Sequence, residues 1–351
     1  MRWRDVGFSL AFFLCSPSTV IAQSGAPVEI VPQIEHGNVI TSNVFSPDGK
    51  LTLTTSHDNT ARLWDAETGV LLRSFSGFGA AIYGGAFSPD GKHALTGGHD
   101  RAIRMWETSS GKLVRTLIDP EPHGLVRAIA HAPNGKHAFS GTIHTAIRVW
   151  DLSSGELASK LSGHTSSVNT LSLSKDGTRL LSGSDDKSLI LWDVPGRKLI
   201  HRMNGHTETI VAAAISQDGS LLASGSKDGT VCLWDGRTGK PIRILQRQPG
   251  PPAPPDTAEK FWRGVASVAI SAEGNEIAAG YFDTTLQVWQ ARSGAHVRTM
   301  TIADRALALA YHPGGKTLLA GGFNRSRMLD TATGATPSRL AVASRQLGQN
   351  T

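Results

Sequence analysis

The stretch Ser220 to Asp235, SLLASGSKDGTVCLWD, decides how this chain folds, because the same pattern recurs six more times with graded decay. Six copies end at Trp64, Trp106, Trp150, Trp192, Trp234 and Trp289, at intervals of 42, 44, 42, 42 and 55 residues, and a seventh, degenerate copy ends at Met328, Leu329 and Asp330. Self-similarity at about 40 to 45 residues ending in Trp-Asp is a signature of four-stranded propeller blades. Within the stretch, Leu221 and Ala223, then Val231 and Leu233, alternate as strand residues do, with Gly229 in the turn between the two runs. One blade cannot bury both of its faces, but a ring of blades can. The chain is therefore expected to be all-β: a seven-bladed propeller of four-stranded antiparallel blades, forming one domain despite its 351 residues.

The repeat resembles the WD40 family over roughly residues 27 to 340. Three copies carry the four residues that the resemblance assigns to a buried hydrogen-bonded structural tetrad: His36, Thr54, Asp58, Trp64; His164, Ser182, Asp186, Trp192; and His206, Ser224, Asp228, Trp234. The others decay. Phe78 replaces the His of the second copy, His144 stands in the Asp position of the third, and Phe261 and Ala279 replace the His and the Ser of the sixth. The seventh lacks the Trp and is one residue short around Arg325 to Asp330. These residues are structural in the family, so the resemblance implies a shape more than a chemistry.

Residues 1 to 22 read differently from the rest of the chain. Arg2 and Arg4 precede a short apolar run from Val6 to Leu14, and Val20, Ile21 and Ala22 come before Gln23, which is the layout of a secretory signal peptide with cleavage between Ala22 and Gln23. Its removal leaves 33 basic against 28 acidic residues, since two Arg and one Asp go with it. Cys232 is then the only cysteine, so no internal disulfide can form, and a bacterial periplasm or secretion fits better than a eukaryotic exterior. Residues 341 to 351 read as a flexible tail.

Along the chain, the stretch Ala26 to Ile34 is favoured over the tail Thr336 to Ala343 as the strand that closes the ring. Each blade has a tight first turn, among them SPDGK at 46 to 50 and 88 to 92 and APNGK at 132 to 136. Lys50, Lys92, Lys136 and Lys316 end four such turns in blades one, two, three and seven, which are neighbours in a closed ring, and would make a basic arc. The long interval before Trp289 holds an insertion, residues 246 to 260, with Pro249, Pro251, Pro252, Pro254 and Pro255; such a run favours polyproline conformation or disorder. Phe261, Trp262 and Arg263 come directly after it, residue types that often anchor interfaces.

The sequence contains no C-x-x-C-H, H-E-x-x-H, G-x-x-x-x-G-K-[ST] or G-x-S-x-G pattern, so no catalytic residue and no cofactor is assigned. His57, His99 and His144 lie in the equivalent turn of blades one to three, on the side of the proline-rich insertion. They border a candidate partner-binding surface with Phe261, Trp262 and Arg263. The basic charge is scattered without interleaved aromatics, which speaks against nucleic acid. The expected function is a non-catalytic protein–protein interaction scaffold of the bacterial periplasm or cell envelope. Two alternatives remain open: an enzyme or metal site at the axial channel, for which the three imidazoles are the candidate ligands, and attachment to an anionic envelope surface through the lysine arc.

Overall fold

The strands are short because each is cut by a turn whose chemistry is local. In the turn at 216 to 220, the Asp218 carboxylate accepts hydrogen bonds from Ser216 Oγ at 2.6 Å and Ser220 N at 3.0 Å, while Gly219 takes φ of 71°. Asp48, Asp90 and Asp176 repeat the arrangement, and Asn134 supplies the carbonyl acceptor in blade three. A second turn comes after each Trp-Asp: Asp65 Oδ1 accepts from Thr68 N and Oγ1 at 2.7 and 2.8 Å.

A computed structural model of the chain describes residues 34–121, 124–252, 263–302, 304–315 and 317–334. Phe261, Trp262 and Lys316 lie outside the described residues, as do the segments read as signal peptide and tail and most of the insertion. Among the described residues there are seven four-stranded antiparallel sheets. In blade one, Ile40–Phe45, Leu51–Ser56, Ala61–Asp65 and Leu71–Phe75 succeed one another from the axis outward. Blades two to six repeat this over residues 82–118, 126–162, 168–203, 210–245 and 265–301. Blade seven takes three strands from residues 308–330, and its outermost strand is Ile34–Glu35, which pairs with Ser326 and Arg325. The N-terminal stretch thus closes the last blade. Innermost strands touch in sequence, and 40–45 meets both 82–87 and 308–311, so the ring is closed.

Packing between blades gives the core. The second strand of a blade is buried on both sides: in Leu221–Ser226 only Leu221 is partly exposed, so the burial is continuous instead of alternating. Val231, Leu233, Val265, Val268 and Trp289 form one of the clusters that cement neighbouring sheets. Each such aliphatic side chain removed from water contributes about 1.5–3 kcal/mol. Cys232, at 6% exposure, is buried in a separate cluster with Leu222 and Trp234.

Antiparallel order puts two kinds of loop at opposite ends. The hairpin face carries the Ser-x-Asp-Gly and Trp-Asp turns, joined by Ala66 N donating to Lys50 O at 2.8 Å. The connector face carries the links between blades and the turns after the second strands, joined by His57 N donating to Val39 O at 2.9 Å.

Candidate functional site at the mouth of the axial channel

The tetrad residues converge inside three blades. Asp58 Oδ2 lies 2.8 Å from His36 Nδ1, His36 Nε2 lies 2.6 Å from Thr54 Oγ1, and Trp64 Nε1 donates to that hydroxyl at 2.9 Å. A neutral imidazole protonated at Nδ1 satisfies every group in the chain. The same geometry joins His164, Ser182, Asp186 and Trp192, and His206, Ser224, Asp228 and Trp234. Burial lowers the pKa of His36 and His164 against the pull of their aspartates. Burial alone would raise Asp58 and Asp186, but hydrogen bonds from the Thr60 and Ser188 hydroxyls, backbone N–H groups and the imidazoles outweigh it and hold both carboxyls at about 2.

The decayed copies are rewired. In blade two, Arg104 lies over the Phe78 ring at 4.8 Å and donates to Asp100 at 2.6 Å. In blade three, buried Arg148 donates to Asp119 at 2.9 Å and pairs with Glu121, 29 and 27 residues away in sequence. In blade six the start of the insertion fills the place of the His. Gln248 N donates to Gln287 Oε1, Gln287 Nε2 donates back to Gln248 O, both at 2.9 Å, and Arg247 pairs with buried Asp283. The first residues of the proline-rich segment are therefore packed against the blade.

Around the axis, one β-bulge in each of blades one to six turns a side chain into the connector-face mouth of the channel. The innermost strands shift register between Ile40 and Ser42, Ile82 and Gly84, Val126 and Ala128, and Val168 and Thr170, so Thr41, Tyr83, Arg127 and Asn169 are the extra residues. Blades five and six place Val211 and Ala266 there, and blade seven presents Leu307. These seven residues line a channel cavity of about 220 Å³. Its mouth is polar over blades one to four and apolar over five to seven.

The polar half is held rigidly. The Tyr83 ring is clamped between His57, with ring centres 4.8 Å apart, and His99, stacked at 4.2 Å. Arg127 donates to Asn169 Oδ1 at 2.7 Å, and the Asn169 amide donates to Asp185 Oδ1 at 2.8 Å and Ile210 O at 3.1 Å. Thr41 Oγ1 donates to Ile82 O at 2.7 Å, bridging blades one and two. Burial lowers the pKa of His57 and of His99, and the Arg127 charge lowers His99 further, so both rings are neutral near pH 7.

The structure brings only part of the expected constellation together. His57 and His99 share a position, each backbone N–H donating at 2.9 Å to the link before its blade. Ile143 holds that position in blade three, bonding Leu125 O at 3.1 Å, and His144 lies one residue further on, its N–H on Thr142 Oγ1 as Asp58 N is on Ser56 Oγ. Three imidazoles therefore do not converge, and Tyr83 separates the two that face the mouth. Arg263 is exposed on the connector face, its carbonyl close to Gly229 at φ of 86°. Lys50, Lys92 and Lys136 are exposed on the opposite face, but hydrogen bonds from Ser46 and Ser88 keep Asp48 and Asp90 ionised beside the first two, offsetting their charge. Sequence reading missed Tyr83, Arg127 and Asn169. The available signal was the residue after the first buried aliphatic of each copy, which differs in every blade.

The family model described as "WD40: WD domain, G-beta repeat" matches residues 29–65, 69–107, 111–151, 155–193, 197–235 and 260–290. No curated protein matches the chain.

Proposed function

The chain belongs to the WD40 repeat family, and from that premise we propose that it is a non-catalytic interaction platform of the bacterial periplasm or cell envelope, recognising a protein partner at the connector-face mouth. Propellers of this family commonly mediate protein interactions. One observation carries the assignment of the face: the bulges aim Thr41, Tyr83, Arg127 and Asn169 at the mouth, whereas the tetrad polar groups are consumed internally. A clamped tyrosine and a tethered arginine lose little conformational freedom on binding, and these are residue types on which binding energy concentrates. Arg263, exposed on the same face, extends this surface. The first 22 residues support export, with the mature chain starting at Gln23.

A photo-crosslinking residue installed at position 83, compared in living cells with one at position 92 on the opposite face, tests the reading. Discrete protein adducts from position 83 alone are expected. Adducts from position 92 alone would place recognition on the hairpin face and refute it.

A further inference from the structure

Four blades place an arginine on the third strand, opposite the tetrad hydroxyl position: Arg62 across from Thr54, Arg104 from Thr96, Arg148 from Ser140 and Arg327 from Ala320. The first three meet carboxylates. Arg62 lies 3.8 Å from Asp58, Arg104 2.6 Å from Asp100, and Arg148 2.9 Å from Asp119. Blade seven has Asn324 where the aspartate belongs, and the Arg327 side chain makes no hydrogen bond or ion pair among the described residues.

In place of that partner there is a hollow of about 290 Å³ on the connector side, walled by Ile302, Ala320 and Asn324 at three tetrad positions, the first two now apolar and the third uncharged. Arg305, Arg325 and Arg327 line it against a single acid, Asp304, whose carboxylate is occupied by the backbone N–H groups of Arg305 at 2.7 Å and of Phe323. Glu35 pairs with Arg325 at 3.1 Å. Phe323, 44% exposed beneath Arg305, supplies an apolar wall at the entrance.

We propose that this hollow binds the carboxylate or phosphate head group of a small ligand, with the anion on Arg327 and the remainder of the ligand against Ile302 and Phe323. The chain's own precedent is the argument: wherever else this arginine occurs, an anionic oxygen stands beside it, and here the space for one is open. A planar guanidinium grips two oxygens of either head group.

Titration of the full-length protein with sodium succinate and with inorganic phosphate at constant ionic strength, followed through the arginine Nε–H resonances, tests this. Wild type should saturate with at least one anion, and the tighter of the two identifies the head group. Arg327→Met should weaken that affinity at least tenfold. Asn324→Asp, which restores the internal carboxylate, should do the same while raising the thermal midpoint, and it decides the matter if Arg327→Met fails to fold. No saturation in wild type, or unchanged affinity in Asn324→Asp, would overturn the proposal. Neither result bears on the partner surface at the channel mouth.

Discussion

Blades four and seven are the same sheet built with and without its polar chain. In blade four, His164, Ser182, Asp186 and Trp192 are linked across the sheet, and Trp192 is 1% exposed. In blade seven the same places hold Ile302, Ala320, Asn324 and Leu329, the turn is one residue shorter, and a hollow remains beside Arg327. Both close against their neighbours through aliphatic burial. Hydrophobic faces therefore suffice to seat a blade, and the tetrad adds rigidity and fills volume. Where it is lost, the repeat gains room for something else.

Three pairs of substitutions sharpen that contrast. The largest effect should come from Trp192→Ala, which empties a fully packed site and loses a hydrogen-bond donor, costing about 3–5 kcal/mol in denaturant unfolding, against about 2 kcal/mol for Leu329→Ala. Equal losses would mean that the tetrad tryptophan is no more than a large apolar residue. Next, Asp186→Ala leaves the His164 imidazole and the Thr165 amide without their acceptor and should cost about 1–3 kcal/mol. Asn324→Ala should stay within about 0.5 kcal/mol. A smaller pair is Tyr83→Ala and Arg127→Ala at the mouth, each expected to cost about 1 kcal/mol or less because the rings and polar groups there face the channel.

Acid sets a graded version of the same test. His36 and His164 have folded pKa values below the ordinary 6.5, so their contribution is complete above pH 6.5 and falls as pH drops through that value. Asp58 and Asp186, held at about 2 against an ordinary 3.8, contribute fully above pH 4 and lose that contribution as pH falls toward 2. Thermal midpoints should decline in two stages on acidification. The double variant His36→Phe and His164→Phe, which copies the Phe78 solution of blade two, should flatten the first stage; an unchanged first stage would show that other groups govern it.

How much of the molecule was legible depends on which contacts are local. The Trp-Asp pitch recurs along the chain and the Ser-x-Asp-Gly turns act within a few residues, so the blade count and the turn chemistry could be read directly, whereas the tetrad members, 10 to 22 residues apart, followed from the resemblance to the WD40 family. Arg148 and Asp119 lie 29 residues apart and share no motif, and only folding pairs them. The replacement of the sixth copy's His by Gln248 was hidden because its prolines mark the segment as loop, whereas its first residues bond a glutamine 39 positions away. Counting Lys50 and Lys92 without Asp48 and Asp90 overstated a basic arc, since both charges belong to one turn. Above all, a bulge reverses which face a side chain takes, so no sequence motif marks Tyr83 and Arg127 as residues of the channel mouth.

The division between residues that hold the ring and residues that recognise is tested most directly by capturing crosslinked neighbours from intact cells. The Tyr83→Ala and Arg127→Ala double variant would be compared with a Lys50→Glu and Lys92→Glu control of matched thermal midpoint. The account predicts that partners vanish from the first and persist with the second. An identical partner set from the mouth variant and from wild type would contradict it.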